Sequence, residues 1–487
     1  MSLPDVAIIG AGVAGLTAAA LLANAGAKVT VYEHHNVPGG CASFYQRDGF
    51  RFDVGATVVN GFGERGIHRR IFSHLGVSLD ATRLDPAMIV HLPDRVVTRY
   101  GDERWQAERR AAFGDDAEPF WHAQERIADT IWRYSSRLPT LPADLRAIAH
   151  LLSTLSPDVL HLLTLQGRSL ASLLPMHASP ELRAFVDLQL LITAQTDARQ
   201  CDGAFGATAL DIAREGTFHL PNGIADISIA LARSVRANGG AIRYRTEVTK
   251  IRHTRGRATA LEFRDGSIRP VDTVIAAIPF ENVLQLLGRE IPYTLRTKQR
   301  WSAVTAYVGV GPDVIADDAV LHHQLLADAS QPMGEANTAF VSISGAQDRT
   351  RARNGGRAIT ISTHTDPSLW EHVRANGSLA SLQRDYSTRL LKHLHRVLGS
   401  NVVPELLELG TPFTFERYTL RHRGLVGGTP QARRSANLFA HSHRLDLRNV
   451  RLCGDTIFPG QSTVGVSLSA MNAVRSLGVH LKLGGSV

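Results

Sequence analysis

A glycine-rich turn between an apolar strand and a helix constrains this chain more than any other feature of its sequence. Val6-Ala7-Ile8-Ile9 is typical of a buried parallel strand, and a helical stretch rich in Ala and Leu covers residues 16–25. A second apolar strand covers residues 28–32 and is followed by Glu33. The turn has the spacing G-x-G-x-x-G and consists of Gly10, Ala11, Gly12, Val13, Ala14 and Gly15. The order of strand, glycine turn, helix, strand and acid predicts a unit that binds a dinucleotide.

Each part of this unit has a physical reason. Gly10 permits the tight turn, Gly12 lets the backbone approach the pyrophosphate, and Gly15 lets the helix pack closely on the strand. The helix N-terminus presents free N–H groups and a positive dipole end to the phosphates. We assign Gly10, Gly12, Ala14, Gly15 and Glu33 to the cofactor site, with Glu33 accepting hydrogen bonds from the ribose hydroxyls.

Length and composition limit the class of protein. At 487 residues the chain is too long for one hydrophobic core, so we expect two or three domains. No stretch approaches the roughly 20 apolar residues of a membrane-spanning helix. We expect no signal peptide before the first strand and no disulfide framework from three dispersed cysteines, which predicts a cytoplasmic protein. The net charge of +8 fits general solubility or contact with an anionic membrane, whereas no basic motif suggests nucleic acid.

The 21 histidines do not predict a metal site. His393 and His395 lie in a helical pattern, where residues two apart point in different directions. The remaining groups are His34-His35, His322-His323 and His441-Ser442-His443, and none has further ligands at a suitable spacing. We therefore predict that the protein binds no metal.

A second glycine pair follows the acid. Pro38-Gly39-Gly40-Cys41-Ala42 comes within a few residues of Glu33, and residues 49–56 follow shortly after. This arrangement resembles the flavoprotein group that contains amine oxidases, phytoene desaturases and Rab GDP-dissociation inhibitors. The resemblance implies that the cofactor is FAD and that Gly39, Gly40 and Cys41 lie on its flavin side. An Arg commonly follows the glycine pair in that group, and this chain has Cys41 there.

A middle segment matches the second piece of the flavin domain in that group. It begins at Leu220-Pro221-Asn222-Gly223-Ile224 and continues as an amphipathic helix over 225–238 and a strand over 241–253. A hairpin turning at Asp265-Gly266 follows. The resemblance implies that Val248 contacts the adenine through its backbone.

A C-terminal segment matches the third piece. The strand 450–453 ends in Gly454-Asp455, and a helix is predicted over about 466–477. The resemblance implies that Asp455 binds the ribityl and pyrophosphate region. It also implies that the helix N-terminus at Gly465 and Val466 faces the flavin pyrimidine, where its dipole would stabilise negative charge on the reduced flavin.

These pieces predict an α/β protein with a discontinuous, Rossmann-like FAD-binding domain and an α+β substrate-binding domain. The first domain comprises 1–75, 213–283 and 436–487, and the second comprises 76–212 and 284–435. An apolar segment over 138–176, interrupted by Pro142, Pro157 and Pro175, predicts short amphipathic helices. Four arginines, Arg133, Arg137, Arg146 and Arg168, lie beside its apolar positions, which fits either a membrane-docking surface or core packing.

Further motifs along nearly the whole chain resemble a narrower group, the carotenoid C-3′,4′ desaturases of cyanobacterial type among the phytoene desaturases. These motifs include Gly39-Gly40-Cys41-Ala42-Ser43, Phe52-Asp53-Val54-Gly55-Ala56-Thr57, Gly66-Ile67-His68-Arg69-Arg70-Ile71-Phe72, Trp105-Gln106-Ala107-Glu108-Arg109-Arg110, Phe120-Trp121, Asp187-Leu188-Gln189-Leu190, Phe218-His219-Leu220, Thr411-Pro412, Arg417-Tyr418-Thr419 and Val426-Gly427-Gly428.

The resemblance implies that two hydrogens leave a CH–CH unit next to a conjugated polyene, with a hydride going to flavin N5. Positioning and desolvation supply much of the rate of such a reaction, so no tight catalytic triad is expected. We place Arg417 nearest the flavin and consider Glu416 as the proton acceptor. The alternative is that these two residues are a surface Arg/Glu pair in a loop. The implied substrate is a lipophilic carotenoid, reached by peripheral membrane contact, and the electron acceptor is oxygen or a quinone.

Other activities stay open at this point. Relatives with similar motifs isomerise or oxygenate polyenes. An amine or porphyrinogen oxidase, or a non-redox isoprenoid-binding protein, would have the same fold.

Overall fold

The computed structural model describes residues 4–134, 157, 162, 164–165, 167–296, 300–399 and 402–481. Most of the predicted apolar segment over 138–176, with Arg137 and Arg146, lies outside the described residues. At its described end Leu170 is buried and Met176 is 87% exposed. Among the described residues, no helix is both long and apolar enough to cross a bilayer.

The predicted strand–helix–strand unit forms the N-terminus. The strands β1 (Val6–Ile9) and β2 (Val29–Tyr32) pair in parallel, and the helix α1 (Val13–Asn24) connects them. Parallel neighbours require such a crossover. Because α1 packs on α8 (Ala225–Ala237) and α14 (Ser462–Arg475), all its residues except Asn24 are buried.

Five parallel strands form the sheet around this unit, in the order β10-β2-β1-β14-β20. The three added strands are β10 (Ala241–Arg243), β14 (Thr273–Ala276) and β20 (Val450–Leu452). The sheet thus combines strands from three separate stretches of the chain, as a discontinuous domain requires. The domain boundaries themselves stay a prediction.

The single strand predicted over 241–253 is two strands in different sheets. The chain leaves the parallel sheet after β10 and turns at Arg245, whose φ is +53°, before β11 (Val248–Thr254) begins. β11, β12 (Arg257–Phe263) and β13 (Ile268–Pro270) form an antiparallel sheet whose second hairpin turns at Asp265-Gly266, as predicted.

A seven-stranded sheet forms the other half of the protein, in the order β19-β15-β18-β17-β16-β7-β8. Neighbours are antiparallel except β7 and β16, which pair in parallel. One face packs on α11 (Pro367–Ala375) and α12 (Leu379–Leu398) through the buried Trp370 and Tyr386. The strands are β7 (Met88–His91), β8 (Val96–Arg99), β15 (Ser302–Val310), β16 (His322–Leu326), β17 (Thr338–Ile343), β18 (Arg357–Thr365) and β19 (Leu406–Gly410).

A helical layer lies against the opposite face of this sheet. Its core contains Trp105, Trp121 and Phe185, and Gln324 of β16 donates to the carbonyl of Leu188 at 2.6 Å. The helices are α3 (Arg104–Phe113), α4 (Glu118–Tyr134), α5 (Pro180–Ala194) and α6 (Gly203–Leu210). The remaining elements are β3 (Phe44–Arg47), β4 (Phe50–Asp53), β5 (Val59–Asn60), β6 (Thr82–Arg83), β9 (Thr217–His219), α2 (Ile67–His74), α7 (Ile212–Glu215), α9 (Phe280–Leu286), α10 (Tyr293–Arg296) and α13 (Pro412–Thr419).

Candidate cofactor and substrate site

One cavity of about 1280 Å³ extends from the parallel sheet to the seven-stranded sheet. Its first half, the cofactor half, is lined by residues predicted for the cofactor. Its second half, the substrate half, lies between the seven-stranded sheet and the helical layer. The predicted cofactor residues that line it are Gly10, Gly12, Ala14, Glu33, Gly39, Gly40, Cys41, Val248, Gly454, Asp455, Gly465 and Val466.

The glycines of the first turn serve two purposes. Gly10 has a φ of +98°, and a Cβ there would lie 2.9 Å from the carbonyl oxygen of Ala277. A Cβ at Gly15 would lie 2.0 Å from the carbonyl oxygen of Gly10, so this glycine is required for packing and does not line the cavity. A Cβ at Gly12 would meet only the carbonyl oxygen of Gly39, at 4.0 Å, and would otherwise occupy open cavity.

The second glycine pair lies beside the first turn. The N–H of Gly39 donates to the carbonyl of Ala11 at 2.9 Å, and a Cβ at Gly40 would lie 3.5 Å from the Cα of Gly12. Both Gly39 (φ +120°) and Gly40 (φ +58°) use backbone conformations that favour glycine. The two turns together leave a groove floored by backbone, to which a pyrophosphate can approach closely.

Glu33 is held at the end of β2. Its carboxylate accepts from the N–H of Ala11 at 2.7 Å and from the N–H of His35 at 2.8 Å. Burial raises the pKa of Glu33, but hydrogen bonds from His34 and these two N–H groups outweigh burial and hold the pKa below its ordinary value. An ionised carboxylate at this position can accept hydrogen bonds from ribose hydroxyls.

Val248 begins β11 and lines the same half of the cavity with Thr246, Glu247 and Thr249. Its backbone contact with adenine stays a prediction.

Asp455 follows β20, as predicted, and is paired with an arginine that sequence reasoning missed. Nη2 of Arg421 donates to Oδ2 of Asp455 at 2.7 Å, and Nε of Arg421 donates to the carbonyl of Leu425. Arg421 lies close enough to Cys41 to interact with it electrostatically, and burial raises the pKa of the Cys41 thiol. The cavity therefore has a buried cation beside Cys41, although residue 41 itself does not supply it.

The C-terminal helix α14 begins at Ser462, about four residues before the predicted start, because Gln461 and not Gly465 is its N-cap. The N–H of Gly465 donates to Oγ of Ser462 at 3.0 Å within the first turn. Gln461, Gly465 and Val466 all line the cavity, so the N-terminal end of this helix faces it.

The two predicted catalytic residues are placed differently from each other. Arg417 is exposed but lines the cavity, and its guanidinium lies 5.4 Å from the centre of the Tyr418 ring. Glu416 is exposed, does not line the cavity, and accepts from the N–H of Arg423 at 3.3 Å. The helix α13 buries Pro412 and Phe415, which leaves Glu416 on its outer side. This placement does not support Glu416 as a proton acceptor.

The substrate half of the cavity has a floor and a roof. The floor consists of side chains at alternate positions of neighbouring strands, which share one face of the sheet: Ala303, Thr305 and Tyr307 of β15, Ser362 and His364 of β18, Phe340 of β17 and Gln324 of β16. The roof consists of Gln189, Ile192 and Thr193 of α5 and Phe205, Thr208 and Ala209 of α6.

The first half of the cavity fits an FAD. Gly12 leaves open space beside the helix N-terminus of α1, where the pyrophosphate of a dinucleotide binds. Glu33 lines the cavity and can accept hydrogen bonds from hydroxyl groups, and Arg421 offsets the charge of Asp455. At the N-terminal end of α14, the buried side-chain oxygen of Gln461 has no hydrogen-bond partner among the described residues, so it can accept a hydrogen bond from a ligand.

Comparison with known proteins agrees with FAD as the cofactor. Residues 13–477 match the family described as flavin containing amine oxidoreductase. The chain is 27% identical to the prolycopene isomerase of Daucus carota, over 98% of this chain and 80% of that protein. It is 24% identical to the neurosporene-forming phytoene desaturase of Cereibacter sphaeroides, over 95% of this chain and 92% of that protein. These relatives confirm the resemblance to the phytoene desaturase and carotenoid isomerase group.

Solved structures share the fold. An oxidoreductase from Methanosarcina mazei has a TM-score of 0.61 at 18% identity, covering 97% of this chain and 100% of its own. Cyclohexylamine oxidase from Brevibacterium oxydans has a TM-score of 0.58 at 14% identity, covering 98% and 100%. With the family match over almost the whole chain, these findings show that the protein belongs to the flavin-containing amine oxidoreductases and is an FAD-dependent oxidoreductase.

Proposed function

We propose that the enzyme is a carotenoid desaturase that removes two hydrogens next to a conjugated polyene, at the C-3′,4′ bond. The observation that carries the proposal is the continuity of the cavity, which joins the cofactor residues directly to the space between floor and roof. A slot between a sheet and two helices fits a long, flat hydrocarbon. The match to carotenoid-acting relatives over most of the chain supports the same substrate class.

FAD supplies the hydride acceptor in this reaction. The protein's own contribution is to hold the polyene across the floor, to exclude water, and to remove the proton that hydride loss makes acidic. Positioning and a water-excluded site account for much of the rate of such reactions.

A second candidate is cis–trans isomerisation of a carotenoid. Prolycopene isomerases of Daucus carota and Arabidopsis thaliana match 98% and 99% of this chain. The same slot could hold a bent poly-cis polyene, and isomerisation would leave the number of hydrogens unchanged.

The experiment uses the FAD-loaded protein with γ-carotene or prolycopene in liposomes, supplied with oxygen or a quinone. Desaturation predicts a product of γ-carotene that is two hydrogens lighter and absorbs at longer wavelength. Isomerisation predicts a product of prolycopene with unchanged mass. A protein that takes up no FAD, or that alters neither polyene, would contradict the proposal.

We also propose peripheral contact with a membrane, because carotenoids dissolve in bilayers. Arg168 and the 87% exposed Met176 at the described end of the apolar segment support this contact. The protein should co-sediment with anionic liposomes at low salt, and failure to do so would count against membrane contact.

A further inference from the structure

A polar pair lies in the substrate half of the cavity. His364 is on the floor, near the C-terminal end of β18, and Gln195 directly follows α5 of the roof. The amide Nε2 of Gln195 lies 2.8 Å from Nε2 of His364, and both residues line the cavity. The pair therefore connects floor and roof across the slot.

The surrounding structure fixes this pair. Nε1 of Trp301 donates to the carbonyl of Gln195 at 3.2 Å, and the Trp301 ring meets His364 edge-on at 5.9 Å between centroids. Gln195 has a φ of +60°, a conformation that costs a non-glycine residue about 1 kcal/mol or more. This left-handed conformation ends the helix, because Gln195 is the C-cap of α5.

The pair also lies next to the cofactor half. A Cβ at Gly427 would lie 2.4 Å from Cδ of Gln195, and a Cβ at the adjacent Gly428 would lie 2.1 Å from the carbonyl oxygen of Asp455. Gln195 and Asp455 therefore pack on neighbouring residues of one loop. The pair therefore lies on the side of the substrate half that adjoins Asp455.

The hydrogen bonds of the pair leave one ring nitrogen available. Nδ1 of His364 has no hydrogen-bond partner among the described residues. Burial lowers the pKa of His364 to about 4, so the ring is neutral at ordinary pH. A neutral imidazole can accept a proton at its unprotonated nitrogen.

The orientation of the Gln195 side-chain amide determines which ring nitrogen of His364 is unprotonated. As placed, its Nε2 also donates to the carbonyl of Leu191 at 3.4 Å, and its buried Oε1 has no donor. Rotation of the amide by a half-turn loses that long bond, but it lets Oε1 accept from Nε2–H of His364. The ring then keeps an unprotonated Nδ1, which has no hydrogen-bond partner among the described residues.

We propose that His364 is the catalytic base that accepts the proton from the polyene, and that Gln195 is its positioning residue. This inference rests on the proposed desaturation. One C–H bond breaks with its electron pair, which leaves as hydride to the oxidised flavin. The neighbouring C–H bond then breaks, its electrons form the new C=C bond, and its proton goes to Nδ1 of His364 and from there to solvent.

The test measures desaturation of γ-carotene by FAD-loaded variants. His364→Gln should retain FAD and convert γ-carotene about 100-fold more slowly, within the usual range for loss of a general base. Gln195→Asn, which tolerates the same positive φ but is too short to reach the ring, should give a smaller loss. Imidazole added to His364→Gly should restore part of the lost rate, which a merely structural role would not allow.

The matched control is His393→Gln, which removes another buried histidine that bonds the carbonyl of Ala336 at 3.0 Å and does not line the cavity. It should convert γ-carotene at the wild-type rate. If His364→Gln converts γ-carotene at the wild-type rate, the inference is overturned and the proposed function is not. If His364→Gln loses FAD, absence of imidazole rescue in His364→Gly would also overturn it. Wild-type protein that leaves γ-carotene unchanged would instead overturn the proposed function, and the inference with it.

Discussion

At the scale of single residues, Gly12 is a position where a larger side chain should impair binding of the cofactor without impairing folding. Its φ of −70° suits any residue, and a Cβ there would meet no atom closer than 4.0 Å. Gly12→Val should therefore fold, but its side chain would occupy the groove to which we assign the pyrophosphate. We expect a protein with wild-type circular dichroism that purifies without flavin absorbance. Yellow, FAD-loaded Gly12→Val would contradict this assignment of the groove.

Gly15→Ala is the matched comparison, because its Cβ would lie 2.0 Å from the carbonyl oxygen of Gly10. The carbonyl of Gly10 belongs to the backbone, so it cannot move away from the new Cβ as a flexible side chain could. We therefore expect Gly15→Ala to lower the thermal midpoint of the apoprotein, whereas Gly12→Val leaves that midpoint nearly unchanged.

The ion pair of Arg421 and Asp455 gives a second prediction. Their side chains are only 11% and 18% exposed, so Arg421→Met leaves a largely buried carboxylate without its partner. We expect a loss of about 3 kcal/mol in the free energy of unfolding and weaker binding of FAD. Arg421→Met combined with Asp455→Asn should regain part of that stability in urea unfolding. Equal stability of the single and double variants would show that the charge pair is unimportant.

Arg421 also shows what sequence reasoning could not provide. Arg417 and Arg421 are four residues apart in one segment, and composition does not distinguish them. The difference arises at Leu420, where a φ of +52° ends α13 and turns the chain inward. The glycine turn and Glu33, in contrast, were predicted correctly as a unit, because their spacing reflects local strand and helix geometry.

At the scale of elements, the contact between β15 and β4 depends on one glycine. A Cβ at Gly309 would lie 2.7 Å from the ring of Phe50, which is 1% exposed. In an open strand, alanine in place of glycine would stabilise by about 0.5–1 kcal/mol. Here we expect Gly309→Ala to destabilise by about 1–3 kcal/mol, because the ring must move within a packed core. Adding Phe50→Leu to Gly309→Ala should make the total loss of unfolding free energy smaller than the sum of the two single losses. Additive losses, measured by urea unfolding, would contradict this prediction.

Elements were predicted well where their signals are local. The first strand–helix–strand unit, the helix over 225–238 and the hairpin at Asp265-Gly266 all occur. The start of α14 was misplaced because Gly465, which lies within its first turn, resembles a helix boundary in sequence. The floor and roof were not foreseen, since they join β15, β18 and α5, which are far apart in the chain. Long-range pairing of this kind leaves no periodic signal in either partner.

At the scale of the whole molecule, buried neutral histidines make stability depend on pH. Burial lowers the pKa of His322 to about 3, helped by the nearby His219, His323 and Arg351, and burial lowers that of His364 to about 4. In the unfolded chain each titrates near its ordinary pKa of 6.5. Below that pH the unfolded state binds more protons, so the free energy of unfolding falls as the pH falls toward the folded-state values.

Between about pH 7 and about pH 5.5, each of these two histidines should remove about 1 kcal/mol from the free energy of unfolding. His322 isolates the effect, because it is 5% exposed, bonds only Ser342 Oγ at 3.0 Å among the described residues, and does not line the cavity. His322→Gln cannot be protonated in either state. Its urea midpoint should therefore fall less steeply with decreasing pH than that of the wild type, measured by tryptophan fluorescence at a fixed FAD concentration. Parallel pH profiles would mean that His322 is already protonated, or equally accessible to protons, in the folded protein.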